Sequence, residues 1–263
     1  MLTVLAATTM TVASAGGVFA TDWLYRDNPL ITATFRGQDV VTLVVAVPLL
    51  LAGLAWERTG SPRGRVLWIG MLFYTMYAYL FYAVAAAFNQ FFLLYVATFG
   101  LPLYALLFSV PRLDLDRLAA AMGGRAARVV AIAYTSVVAV GLAVLWVGMS
   151  LGYLVTDEVP QPIVDSGHPT GVVFAIDLVF IVPPMLLAAT WLARRRPLGW
   201  VLAAVMSIGG AVYTLTLAAA SAEIARQAVG SGSELPLWAA LTVLGAVTAV
   251  LLVAGTTRRE SLP

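Results

Sequence analysis

Long apolar runs, separated by short segments that carry nearly all the charged residues, dominate the pattern of the chain. A helix needs about 20 mostly apolar residues to cross the hydrocarbon core of a bilayer. Backbone groups in lipid must be hydrogen-bonded within the span, so runs of this length are predicted to be helices. Eight runs qualify, which predicts an all-α integral membrane protein with eight transmembrane helices. The predicted spans are residues 2–20, 38–56, 65–88, 91–110, 128–154, 170–192, 198–222 and 236–255.

The segments between the spans alternate in charge. Acidic residues predominate after the odd-numbered spans, and arginines predominate after the even-numbered spans. Arginine-rich loops stay on the cytoplasmic side of a membrane, so both termini are predicted to be cytoplasmic. The arginines assigned to this side are Arg58, Arg63, Arg65, Arg112, Arg117, Arg125, Arg128, Arg194, Arg195, Arg196, Arg258 and Arg259.

The first span has one feature of a cleavable signal peptide. The sequence Ala13-Ser14-Ala15 resembles a signal-peptidase site, and cleavage would leave seven spans with the N-terminus outside. A signal peptide usually begins with basic residues, however, and residues 1–10 contain no charged side chain. We therefore expect residues 1–20 to be retained.

The second half of the chain resembles the first half at an offset of 135 residues. A gap of three residues, about one helical turn, also aligns Asp39 with Asp177. Matches of Leu and Val arise easily between apolar helices, but paired Trp, Pro and Gly residues at one offset are less easily explained by chance. The identical pairs are Pro48 and Pro183, Leu51 and Leu186, Trp56 and Trp191, Pro62 and Pro197, Gly64 and Gly199, Val66 and Val201, Leu67 and Leu202, and Met71 and Met206.

These matches predict an internal duplication within a single membrane domain, residues 1–263. The halves are residues 1–122 and 123–263, each with four spans. Because four is an even number, both halves have the same orientation, so the repeat is parallel and its pseudo-twofold axis follows the membrane normal. Span one then corresponds to span five, which also favours its retention.

Composition agrees with a membrane location. Apolar residues make up 61% of the chain and charged residues 11%, against about 45–50% and about 25% in soluble domains. A soluble fold of this length could not bury so much apolar surface. The lipid bilayer is therefore the first expected partner. All basic residues are arginine, and Ala and Val are abundant, which favours the plasma (inner) membrane of a GC-rich bacterium.

Several classes of function are disfavoured by what the sequence lacks. The net charge of +2 provides no basic footprint for nucleic acid. Without cysteine there is no thiol catalysis or thiolate metal site, and a single histidine argues against histidine-ligated haem or zinc. The sequence also contains no phosphate loop, nucleophile elbow or dinucleotide fingerprint. We predict no cofactor and no metal.

Asp177 is the sharpest candidate for a functional residue, because it lies inside the sixth apolar run. A carboxylate within a bilayer costs several kcal/mol unless it is protonated, paired or hydrated, so it marks a functional site by default. The structural alternative is a neutral carboxyl group that donates to a backbone carbonyl near the kink at Pro183 and Pro184.

Asp39, the counterpart of Asp177 in the duplication, lies at the start of the second predicted span. The simpler interpretation is a carboxylate near a helix N-terminus, which favours negative charge. In the functional interpretation, Asp39 and Asp177 meet across the pseudo-twofold axis and share a proton or a cation.

The third span is rich in aromatic residues, and Tyr74, Tyr77 and Tyr82 are its candidate polar groups. Buried tyrosine hydroxyls need hydrogen-bond partners, so they are expected either to bond Asp177 or to line a pocket for a flat apolar ligand. Ordinary packing beneath an outer aromatic belt is the alternative. Asn89 is included as a candidate, although it also fits a simple turn between spans three and four.

Three functions are compatible with this pattern. The first is translocation of a small molecule or ion, with Asp177 as the intramembrane carboxylate. The second is a structural or assembly role, with a membrane-protein partner or a second copy of the chain. The third is a membrane enzyme that modifies a lipid or isoprenoid with Asp177 and the tyrosines as acid–base groups.

Overall fold

The computed structural model describes residues 1–254, which are all-helical, with no strand in that range. Eight of the described helices are long and apolar enough to cross a membrane, which confirms the predicted eight-span architecture. The spans are α1 (Leu2–Phe19), α2 (Pro29–Glu57), α3 (Pro62–Ala85), α4 (Phe92–Arg112), α5 (Arg125–Thr156), α6 (Val172–Ala193), α7 (Pro197–Arg226) and α8 (Leu235–Ala254). Arg258 and Arg259 lie outside the described residues.

Helix α2 begins well before the predicted start at residue 38. The side chain of Asn28 accepts a hydrogen bond from the Ile31 backbone N–H at 2.9 Å, and Pro29 follows in the first turn. An asparagine cap followed by proline is a strong signal for a helix start. The predicted start of this span at residue 38 is therefore too late, because the helix begins at Pro29.

The charged part of α2 is accommodated by a partner on another span. Arg36 forms an ion pair with Glu223 near the end of α7 at 2.6 Å. A Cβ on Gly37 would lie 2.6 Å from the backbone of Ala220, so α2 and α7 pack backbone against backbone here. The polar residues that resemble a loop in the sequence thus lie on a helix that packs closely against α7.

Helices α2 and α6 are both interrupted near the middle of their lengths. In α2 a π-helical turn, Thr42–Ala46, precedes Pro48. In α6 the interruption falls at Ile181, where φ is −110°, just before Pro183. Proline removes a backbone N–H and clashes with the preceding turn, and both effects disturb a helix at this position.

Helices α3 and α7 form the centre of the bundle. About 72% of the most apolar window of α3 and 67% of that of α7 is buried, against 22% for α4, α5 and α8. The two central helices meet at small residues: a Cβ on Gly70 would lie 2.9 Å from Ile208, and one on Gly209 would lie 3.2 Å from Phe73. Small residues allow membrane helices to approach closely.

The helices of the two halves pack in the same order around the two central helices. In the first half α1 packs on α2 and α4, and α3 packs between α2 and α4. In the second half α5 packs on α6 and α8, and α7 packs between α6 and α8. The halves differ at their junctions, because α2 packs extensively along α7 whereas α6 contacts α3 only slightly. Space is therefore left beside α6.

Candidate functional site

A large cavity opens in that space, between α2, α3, α5, α6, α7 and α8. Its volume is about 1250 Å³, which exceeds the roughly 300–1,000 Å³ of most small-molecule sites. Its walls are mainly aliphatic and aromatic, with a few polar side chains. The polar or titratable side chains on the wall include Gln38, Tyr77, Asp165, His168, Asp177, Tyr213 and Glu234. An apolar cavity with a few convergent polar groups is the usual form of a ligand site.

Asp177 lies on the cavity wall with a hydrogen-bond donor on each carboxyl oxygen. The hydroxyl of Tyr77 donates to Oδ1, and the indole N–H of Trp146 donates to Oδ2 at 2.8 Å. The ring of Trp146 stacks on Phe174 with centroids 4.3 Å apart. A carboxylate offers about four lone-pair directions, so two donors leave acceptor capacity for a ligand.

The two cavity-lining tyrosines predicted on α3 have different roles. Tyr77 reaches Asp177 and also packs edge-on against the ring of Tyr213, with centroids 4.7 Å apart. Tyr74 lines the cavity, but its hydroxyl pairs with the hydroxyl of Thr42 on α2 at 2.8 Å. Of the predicted tyrosines, Tyr77 is thus the one that contacts Asp177.

Asp39 lies in a separate, sealed cluster. Its side chain is 1% exposed, the hydroxyl of Tyr25 donates to Oδ2, and that of Tyr82 donates to Oδ1 at 3.1 Å. The rings of Tyr25 and Tyr82 pack on Phe35, with centroids 5.1 Å and 4.6 Å away. Asp39 does not appear among the described residues that line the cavity.

The placement of Asp39 corrects its simpler interpretation. Asp39 is not near the N-terminus of its helix, because α2 starts at Pro29 and is capped by Asn28. The alternative interpretation, in which Asp39 and Asp177 share a proton or a cation, has no support from their hydrogen bonds. Within residues 1–254 the two carboxyl groups share no hydrogen-bond partner, since Asp39 bonds tyrosines of its own cluster.

Asn89 forms the turn between α3 and α4. Its amide donates to the carbonyl of Ala87 at 3.1 Å, and its side-chain oxygen accepts from the N–H of Phe91 at 2.9 Å. These contacts match the simple turn, and the described lining of the cavity does not include Asn89.

Several site residues were not predicted from the sequence. Trp146 had a detectable signal, because an indole N–H inside an apolar span requires an acceptor. Tyr25 had none, since it lies outside the spans. His168 is half-buried at the cavity, with its ring edge-on to Phe81 at 5.9 Å, because the segment before α6 folds against the bundle.

This segment is tied to the start of α2. The Asn28 amide donates to the carbonyls of Asp165 and Ser166, at 3.0 Å each. Beside it, the carboxyl of Asp27 accepts the Ala87 N–H at 2.9 Å. Burial raises the pKa of Asp27, while the Ala87 N–H and the nearby His168 act in the opposite direction. The two buried atoms Asp27 Oδ2 and His168 Nε2 have no hydrogen-bond partner within the described chain.

The charge of the cavity is one-sided. Its wall contains Asp165, Asp177 and Glu234, one histidine, His168, and no arginine from residues 1–254. Such a lining favours a ligand with a cationic or hydrogen-bond-donating group and disfavours an anion.

Comparisons with models of protein families, with curated proteins and with solved structures found no match. Function is therefore inferred from the geometry and chemistry of the cavity.

Proposed function

We propose that the protein binds a largely apolar small molecule in the cavity and moves it across the membrane, with Asp177 as the polar contact. The observation that carries this proposal is the position of Asp177 on the wall of a cavity of about 1250 Å³. A carboxyl group at this depth is costly, and it retains acceptor capacity toward the cavity.

The construction of α6 favours movement over static binding. The helix is interrupted at Ile181, one turn beyond Asp177, and it contacts α3 only slightly. Broken helices beside intramembrane binding sites are common in transporters, where a half-helix moves relative to the bundle. A shift of the Val172–Phe180 segment would change both the shape of the cavity and the bonds to Asp177.

The proposed duplication is supported by a repeated contact. A Cβ on Gly64 would lie 2.6 Å from the carbonyl carbon of Trp56, and a Cβ on Gly199 would lie 2.6 Å from that of Trp191. These are equivalent residues at the predicted offset, in the turns that lead into α3 and α7. The two halves, residues 1–122 and 123–263, also share one packing scheme among the helices that the structure describes, which points the same way.

Orientation and location belong to the same proposal. The arginine-rich loops after α2, α4 and α6 support cytoplasmic termini and insertion in the inner membrane of a bacterium. The cavity then opens toward the outer side, where the segment around His168 lies.

A lipid- or isoprenoid-modifying enzyme is the second candidate. The bonded pair of Tyr77 and Asp177 in an apolar cavity is the observation that favours it, because such a pair can transfer a proton. A purely structural role, alone or with a membrane partner, has less support, since a packing subunit does not require a cavity of this size.

A matched pair of glycines on α5 allows a clean test. Gly141 lines the cavity, Gly148 does not, and a Cβ on either residue has open space around it. Gly141→Leu fills the cavity, whereas Gly148→Leu adds the same side chain outside it. The assay is uptake by proteoliposomes of labelled apolar compounds that carry ammonium, hydroxyl or carboxylate groups.

We expect uptake of at least one probe, reduced about tenfold or more by Gly141→Leu and by Asp177→Asn but unchanged by Gly148→Leu. Absence of uptake of every probe by the wild-type protein would overturn transport. Chemical conversion of a probe without its movement would favour the enzyme.

A further inference from the structure

Helices α5 and α8 contact each other toward one end of the bundle, and toward the other end neither helix has a buried residue. They meet where a Cβ on Gly245 would lie 2.9 Å from the hydroxyl of Tyr134. The buried residues of α5 end at Ala139, and those of α8 begin at Gly245. The parts of both helices nearest the acidic loops, all within the described chain, contain no buried residue.

These exposed stretches border the cavity. Leu145 and Trp146 of α5 and Leu237 and Leu241 of α8 all line it. Leu145 is 44% exposed and Leu237 is 55% exposed. An opening between these stretches would join the cavity to the bilayer.

We propose that the ligand is a membrane-resident lipid with an ammonium headgroup, which enters sideways between α5 and α8 and places its ammonium on Asp177. The inference rests on the proposed binding function of the cavity and specifies its substrate class. Under the proposed orientation, the lipid comes from the outer leaflet.

The surroundings of Asp177 support an ammonium group. Aromatic rings enclose the carboxyl: Tyr77 and Trp146 bond it, Tyr213 packs on Tyr77, and Phe174 stacks on Trp146. Aromatic faces and a carboxylate together attract a desolvated cation. With three carboxyl groups and no arginine from the described residues on the wall, an anionic headgroup would be repelled.

The apolar remainder of the cavity suits a hydrocarbon tail. Toward the middle of the bundle its wall is formed by Val138, Leu142, Ile181, Met185 and Met206. Methionine side chains adapt to irregular apolar shapes, which fits a flexible chain.

The headgroup preference can be tested with three probes that share one photoreactive hydrocarbon chain. The first ends in a primary amine, the second in an alcohol and the third in a carboxylic acid. Each is incorporated with the full-length protein into phosphatidylglycerol vesicles, whose lipid has no ammonium group, and irradiated, and the labelled residues are mapped by mass spectrometry. We expect the amine to label cavity residues at least fivefold more than the acid, and Asp177→Asn to abolish the preference for amine over alcohol. Equal labelling by amine and acid would overturn the ammonium assignment.

The route is tested separately with cysteines, since the chain has none of its own. The double variant Leu145→Cys with Leu237→Cys is joined by a flexible bis-maleimide before the amine probe is added. The same variant treated with a monofunctional maleimide controls for modification. We expect the cross-link, but not the control treatment, to reduce cavity labelling at least fivefold.

Labelling that persists after cross-linking would overturn the sideways route while the cavity remained a binding site. A cross-link between two protein molecules would instead show that a second copy covers the exposed stretches of α5 and α8, which also overturns lipid entry there. Failure of the proposed function itself would look different: no probe would label the cavity, and Gly141→Leu would change nothing.

Discussion

Gly17 of α1 lies against the carboxyl group of Asp39 on α2, with no room for a β-carbon between them. A Cβ on residue 17 would overlap Oδ2 of Asp39 and lie 2.6 Å from the hydroxyl of Tyr25. Asp39 is therefore enclosed by α1 as well as by its two tyrosine donors. This close fit separates Asp39 from Asp177, which faces a cavity.

Gly17→Ala should destabilise the protein. The added methyl group must displace either the Asp39 carboxyl or α1, and overpacking of this kind costs about 1–3 kcal/mol. The measurement is the thermal unfolding midpoint of the purified protein in detergent. Gly152→Ala on α5 is the control, because a Cβ there has open space. Equal midpoints for the two variants would contradict the enclosed position of Asp39.

Asp39→Asn should reduce stability more than Asp177→Asn does. In the sealed cluster the new amide N–H would face a tyrosine hydroxyl that already donates, and an unsatisfied buried polar group costs about 1–3 kcal/mol. At position 177 the amide nitrogen also replaces an oxygen that accepts from Tyr77 or Trp146, but this site lies on the cavity wall, where water can bond the groups left unpaired. Denaturation curves of both variants in the same detergent provide the comparison, and a larger loss for Asp177→Asn would refute the assignment of Asp39 as structural.

Gly64→Ala and Gly199→Ala should cause similar losses of stability, about 1–3 kcal/mol each. Each new methyl group would overlap backbone atoms of Trp56 or Trp191. Backbone atoms within a helix cannot shift without a cost in stability. Unfolding of the two variants is measured beside Gly100→Ala, whose Cβ meets no atom within 4 Å. A large loss for one glycine and none for its counterpart would count against equivalent halves.

Asp27 should make the stability of the folded protein decrease as the pH rises. Its pKa in the folded state is raised, chiefly by burial, so the folded protein holds a proton that the unfolded chain releases. Stability therefore falls as pH rises from the ordinary carboxyl value of about 3.9 through the raised value. The Ala87 N–H and His168 oppose this shift and limit its size.

The variant Asp27→Asn keeps an acceptor for the Ala87 N–H but does not titrate. Its unfolding midpoint should decline less than that of the wild type between about pH 4 and about pH 7. Parallel pH profiles for the two proteins would show that Asp27 is not the group responsible.

Hydropathy was sufficient to predict the spans because a bilayer demands long apolar helices whatever their neighbours are. It missed the first turns of α2 for a physical reason. Arg36 is tolerated on a helix only because Glu223, 187 residues later, lies beside it. Such a partner is created by the fold and leaves no local signal around Arg36.

The candidate site was predicted only in part for a similar reason. An isolated carboxylate in an apolar run identifies Asp177 whatever the fold is. The roles of Tyr77 and Tyr82, five residues apart on α3, depend on which helix each one faces, and this follows from packing alone. The cavity also arises from packing, since its wall is formed by helices that lie far apart in the sequence.

The bond between Trp146 and Asp177 also makes the cavity optically sensitive. An indole whose N–H is held by a carboxyl group, and whose ring stacks on Phe174, emits at an energy set by that local field. A ligand that binds the same carboxyl group changes this field. The emission maximum and the fluorescence lifetime of Trp146 then change as well. In a protein whose other tryptophans have been replaced, the fluorescence of this single side chain would report binding directly.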